Sequence, residues 1–142
     1  MKFNSKLITQ VALVFSFASV FASYSFADEI LKKTKDSISK GKAVYVNNCT
    51  SCHGDKGDGN GPTGASLTPK PRNFNTEEYA QGGSPQEVYD TITTGFTKGN
   101  PVKGIKPNPL MMAFGHLSKE DRSNVAYYIL SMKAGAPAKA KK

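Results

Sequence analysis

The chain has 142 residues, 19 of them basic and 11 acidic, a formal net charge of +8, and 38% of it is hydrophobic. That length holds one small domain, which buries little apolar surface unless a cofactor or a covalent staple adds to its core. A basic chain often meets nucleic acid, but the N-terminus marks this one for export, so an acidic protein face or an anionic membrane surface is the expected counterpart.

Residues 1–27 read as a secretory signal peptide. Lys2 and Lys6 supply the positive start, and residues 7–22 the apolar core, interrupted at Thr9 and Gln10. Ser25-Phe26-Ala27 places small residues at both recognition positions, with Asp28-Glu29 just beyond. Cleavage is expected after Ala27, with a cut after Ala22 as the alternative. The competing reading is an uncleaved anchor, against which the unbroken apolar run of 11–22 is shorter than the roughly 20 residues of a spanning helix. A lipoprotein anchor needs a Cys at the cleavage point, and none is there. The expectation is a periplasmic protein without stable membrane insertion after cleavage.

Residues 28–36 form a polar, Lys-rich lead-in, read as a mobile arm or a first-turn cap. A helix is expected from Ser37, with Ile38, Gly41 and Tyr45 at helical spacing and Val44 flanking them. Gly inside a helix costs about 1 kcal/mol relative to Ala, so Gly41 implies that another backbone packs close there. The helix runs into Cys49-Thr50-Ser51-Cys52-His53, which the spacing puts on its last turn. This is C-x-x-C-H, the attachment signal for a c-type haem. Two thiols from neighbouring positions can add to the two vinyl groups of one porphyrin, and the adjacent imidazole can reach the iron from the same side. The chain has no other cysteines. Three other readings compete. A zinc site needs four ligands, and no second CxxC or His pair is present. A thioredoxin-like redox pair needs a surrounding βαβ pattern. The third is a plain structural disulfide.

Residues 54–71 are rich in Gly and Pro and read as a loop wrapping the haem edge. Asp55 and Asp58 alternate with glycines as in a calcium loop, but the terminal Glu of an EF-hand is missing. Ser84-Pro85-Gln86-Glu87 is a capping-box helix start, followed by an apolar face of Val88, Tyr89 and Ile92 and a left-handed glycine cap at Gly95. Residues 98–109 are irregular and 110–117 form a short apolar segment. Ser118 caps a last helix with Asp121 as its acidic third residue. Val125, Tyr128, Ile129 and Met132 form its buried stripe, and Gly135 and Pro137 stop it. With no strand pattern and no repeat, the chain reads as all-α, three to five short helices joined by Gly/Pro-rich loops around one covalently bound haem.

An iron held by one His needs a sixth ligand or stays open to small molecules. The candidates are Met111, Met112, Met132 and His116. Met132 sits on the packing stripe, and His116 precedes a helix cap where a solvated His is common. The Met111-Met112 pair lies in a Pro-rich loop free to approach from the far side, where one can face the iron while the other packs outward.

Taken together, these stretches resemble a class I, monohaem c-type cytochrome of the bacterial periplasmic type. The resemblance rests on Gly41-Lys42-Ala43-Val44-Tyr45 before the CxxCH, on Gly57-Asp58-Gly59-Asn60-Gly61-Pro62 and residues 67–74, on Met111-Met112-Ala113-Phe114-Gly115, and on Val125-Ala126-Tyr127-Tyr128-Ile129. It implies the cytochrome c fold over 28–135, between the signal peptide of 1–27 and a basic disordered tail at 136–142. Carried over, Cys49 and Cys52 hold the haem, His53 is the proximal ligand and Met111, three before Phe114, is the sixth. Met112 departs from the family by standing where Pro is usual. The resemblance further implies that the Pro62 carbonyl accepts the imidazole N–H, and that Gly41 and Tyr45 cross Val125 and Tyr128. With no Trp in the chain, Arg72 or a Tyr is left to meet a haem propionate.

The function this implies is electron transfer on one His/Met-ligated haem c rather than catalysis. Lys56, Lys70, Lys98, Lys103 and Lys106 are expected to steer the haem edge toward an acidic docking face on a redox partner protein. Nucleic acid is not an expected partner. Two alternatives stand beside this: a cytochrome c subunit of a larger respiratory or dehydrogenase complex, and a small haem enzyme with an open sixth site.

Overall fold

The computed structural model describes residues 28–79, 82–97, 99, 104 and 106–134. The expected signal peptide, the C-terminal tail, Lys98 and Lys103 lie outside them. Among the described residues there are four α-helices and no strand: α1 (Ser37–Asn48), α2 (Thr50–His53), α3 (Pro85–Thr94) and α4 (Lys119–Ala134), with a short 3₁₀ turn at Gly64–Ser66.

α1 buries Ser37, Gly41 and Tyr45, one residue per turn, and this stripe lies on α4. A Cβ at Gly41 would collide with the Asn124 carbonyl oxygen and press on Tyr128, so the glycine is what lets the two backbones cross. One turn later the Tyr45 and Tyr128 rings meet edge-on, centroids 5.3 Å apart. The helix does not run through the CxxCH as the spacing predicts. It breaks at Cys49, whose backbone (φ −120°, ψ −27°) leaves the helical region, and α2 restarts as a single turn.

α3 begins with the full reciprocal capping box between Ser84 and Glu87 and buries Val88, Tyr89 and Ile92. Gly95 closes it at φ 72°, but with ψ 174° rather than in the left-handed helical region, a combination essentially reserved for glycine. Ser118 caps α4 by accepting the Asp121 N–H at 3.0 Å. The α4 stripe is broader than the periodicity suggests, because Arg122, Ser123 and Asn124 are buried beside Val125, Ala126 and Ile129.

Residues 28–31 are not a mobile lead-in but a strap laid over α3 and α4. Ile30 N–H donates to Gln86 Oε1 (2.8 Å), Leu31 N–H to Ser123 Oγ (3.1 Å), and Tyr127 O–H to the Leu31 carbonyl (2.9 Å). At its start, the Asp28 carboxylate accepts from Tyr89 O–H and pairs with Arg122 (3.0 Å) and Lys119 (3.3 Å). The buried Arg122 guanidinium also covers the Tyr89 ring and donates to Thr93 Oγ1. The strap was hidden because it is held by side chains 56 to 96 residues away. No described helix is long and apolar enough to cross a membrane.

Candidate haem site

The one-turn α2 brings Cys49, Cys52 and His53 together. His53 N–H bonds the Cys49 carbonyl at 2.9 Å, which closes the turn. The loop that follows folds back on it: Gly59 N–H reaches the His53 carbonyl, Gly61 N–H the Cys52 carbonyl and Thr63 N–H the Ser51 carbonyl, at 2.9, 3.2 and 2.8 Å. The carbonyls a one-turn helix leaves open are therefore filled by loop donors. Side chains at Gly61 or Gly64 would strike the same carbonyls. This gives the Gly/Pro-rich composition its reason, a backbone lying directly against the turn. Asp58 joins this bracing: its Oδ1 accepts the Asn60 N–H at 3.0 Å, and that bond holds its carboxyl below the usual range.

Neither cysteine is in a disulfide, and both are half-buried. Burial, reinforced by Cys52, pushes the Cys49 thiol up to about 12, so it stands protonated and uncharged at neutral pH. His53 is 9% exposed. Its Nδ1 lies 3.2 Å from the Arg72 carbonyl oxygen. A carbonyl only accepts, so the proton belongs on Nδ1 and the lone pair on Nε2. Burial lowers the imidazole's pKa, opposed by the bond to the Arg72 carbonyl, and keeps the ring neutral. The carbonyl that orients the ring thus comes from Arg72 and not from Pro62. The exposed Pro62 lies in the run that braces the α2 backbone, and the chain reaches the ring edge only ten residues later. The Arg72 guanidinium turns away, to the Glu78 carbonyl and to Glu77 at 3.9 Å.

A residue the sequence did not single out lies across the imidazole face. Phe74 stacks on His53 with centroids 4.4 Å apart and 20° between the planes. In the sequence it is the last residue of the 67–74 stretch that carries part of the resemblance, with no role of its own assigned.

Met111 sits on a separate segment anchored to the end of α3. Phe96 N–H donates to the Met111 carbonyl, Met111 N–H to the Asn108 carbonyl, and Phe114 N–H to the Ile92 carbonyl. A Cβ on Gly95 would come within 2.6 Å of the Met111 carbonyl oxygen, so this glycine both ends α3 and admits the methionine segment. Met111 is half-buried, whereas Met112 is 68% exposed. Met132 packs on the core, and His116 is exposed with its ring tilted against Phe114. Among the described residues no hydrogen bond or ring contact joins Met111 to the α2 turn.

Two free thiols and a neutral imidazole with its lone pair on Nε2, all on one turn, are the donor set that a c-type haem requires. The residues present fit the group. No cluster of three or more His, Cys, Asp or Glu side chains is placed to hold a metal ion among the described residues.

A family model described as Cytochrome c matches residues 38–133. The cbb3-type cytochrome c oxidase subunit FixP of Azorhizobium caulinodans is 38% identical over 99 residues, 69% of this chain and 30% of that protein. Subunit CcoP of the same oxidase type from Rubrivivax gelatinosus is 32% identical over 109 residues, 77% of this chain and 30% of its own length. The chain thus spans about a third of the length of the curated relatives it matches. Among solved structures, a chain of the Kuenenia stuttgartiensis reducing HAO-like protein complex Kustc0457/Kustc0458 superposes with a TM-score of 0.59 at 28% identity, covering 82% of this chain and 53% of that one. With the helical fold, the CxxCH turn and a family match from the start of α1 almost to the end of α4, the chain belongs to the cytochrome c family.

Proposed function

We propose that this protein is an exported, periplasmic electron carrier that holds one haem c. In this reading Cys49 and Cys52 would hold the haem through two thioethers, each thiol S–H adding across a vinyl double bond, and His53 Nε2 and the Met111 sulfur would hold its iron. When bound, the haem supplies a one-electron ferric/ferrous couple, and His/Met ligation raises its potential and leaves no open position for substrate. The chain's own part is to hold that arrangement. The Arg72 carbonyl fixes the His53 tautomer, burial keeps the ring neutral, and the backbone bonds of the methionine segment to α3 offer one methionine while exposing the other.

The observation that carries the reading is the His53 imidazole, neutral and anchored through Nδ1, one residue beyond two free thiols. A pyridine haemochrome spectrum with the intact mass of protein matured in a haem-attaching periplasm tests it. One covalent haem per chain is expected, lost in Cys49→Ala/Cys52→Ala. A chain that matures without haem would refute it. A second reading is an electron-transfer subunit of a larger respiratory complex, favoured by the oxidase subunits among its relatives. Native mass measurement on protein from its own membranes separates the two.

A further inference from the structure

We propose that Phe74 is a positioning residue that fixes the plane of the His53 imidazole. The inference rests on the reading of His53 as an axial ligand and adds to it what sets the ring's orientation. A single hydrogen bond from Nδ1 to the Arg72 carbonyl, at 3.2 Å, fixes the tautomer but lets the ring rock about that bond. The face-on contact with Phe74, 4.4 Å between centroids and 20° between planes, removes the rocking, because tilting the imidazole would drive it into the phenyl face.

A wall does this only if it cannot move, and Phe74 is held on every side that the structure describes. Its N–H bonds the Gly57 carbonyl at 2.7 Å. Gly57 leaves room for the phenyl ring, since a Cβ there would stand 3.1 Å from Phe74 Cδ2. Tyr45 meets the ring edge-on with centroids 6.5 Å apart, and Tyr79 lies parallel to it at 6.3 Å and 11°. Tyr79 is itself tied to α4, its O–H donating to the Ile129 carbonyl and Lys133 lying over its ring. The imidazole plane is thereby referred through Phe74 and Tyr79 to α4, the longest of the described helices.

The test uses the holoprotein and a signature that loss of packing alone does not move. In a ferric low-spin His/Met haem the order and spread of the haem-methyl proton shifts follow the orientations of both axial ligands, so a change is assigned to the imidazole plane where the axial methionine's resonances keep their wild-type pattern. Phe74→Leu is expected to change that order, and Tyr79→Leu, which removes only the backing ring, to change it less. Val88→Ala, which removes core volume on α3, is expected to lower the melting temperature and leave the order as in wild type. Phe74→Met, of similar volume and without a planar face, carries the same test should Phe74→Leu fail to accumulate. A wild-type shift pattern in the Phe74 variants, with haem bound and His53 ligated, would overturn the proposal and leave the ligand assignment standing. A wild-type protein without a His-ligated haem would instead refute the reading beneath it.

Discussion

At the scale of single residues, backbone carbonyls decide more than the side chains that first draw notice. Tyr45 is fully buried, and its O–H donates to the Gly54 carbonyl at 2.8 Å, tying the middle of α1 to the residue after His53. Burial pushes its pKa well above the ordinary tyrosine value, so the phenol stays a donor throughout the working pH range. Tyr45→Phe keeps the ring contacts with Phe74 and Tyr128 and removes only this bond. The expected loss is about 1 kcal/mol, read from denaturant unfolding of wild type and variant. The orienting contact of His53 follows the same pattern. Family resemblance assigns it to Pro62, and the structure assigns it to Arg72. A carbonyl leaves no trace in the identity of its own residue, so neither the sequence nor the resemblance could locate it. That Cys49, Cys52 and His53 share one turn, by contrast, could be read from the sequence, because side chains at fixed close spacing carry their own signal.

At the scale of elements, what sequence can announce is a local rule, and what it missed is held from a distance. The starts of α3 and α4 follow from Ser84 and Ser118, whose partners lie three residues away. The α1–α4 crossing was readable because a glycine inside a helix carries a cost that must be offset, and Gly41 lies directly against Asn124 and Tyr128. Gly41→Ala is expected to destabilise the protein by about 2 kcal/mol, the overpacking cost less the gain in helix propensity, measured as a lower unfolding midpoint. The strap of residues 28–31 follows no local rule. Its anchor, Asp28, has its pKa lowered chiefly by the Tyr89 hydroxyl, with help from Lys119 and Arg122. A carboxyl with a folded pKa below its unfolded one adds stability above the unfolded value, near 3.9, and loses it as pH falls through the folded value. Asp28→Asn should therefore lower the melting temperature at neutral pH and flatten the acid limb of its pH profile. An acid limb of unchanged slope would contradict the latch.

At the scale of the molecule, the described helices and the loops between them enclose a core that includes Tyr45, Phe74 and Tyr89. The fold class was legible because no segment carries a strand pattern. The break at Cys49 was not, since helical spacing continues smoothly through it. In the proposed function the partner's docking face is acidic, and beyond residue 27 the chain carries 17 basic residues against 11 acidic, a net +6, so association should depend on salt. The second-order electron-transfer rate should fall steeply as ionic strength rises through the range where the Debye length shrinks to about 10 Å, and a flat profile would argue against steering. The central claim is that the iron is closed on both sides, by His53 and Met111, so that the protein passes electrons and does not turn over substrate. The oxidised optical spectrum of the holoprotein tests this most directly. The account predicts a methionine-to-iron charge-transfer band in wild type that persists in Met112→Ala and disappears in Met111→Ala. A high-spin wild-type spectrum, or a band that survives Met111→Ala, would contradict it.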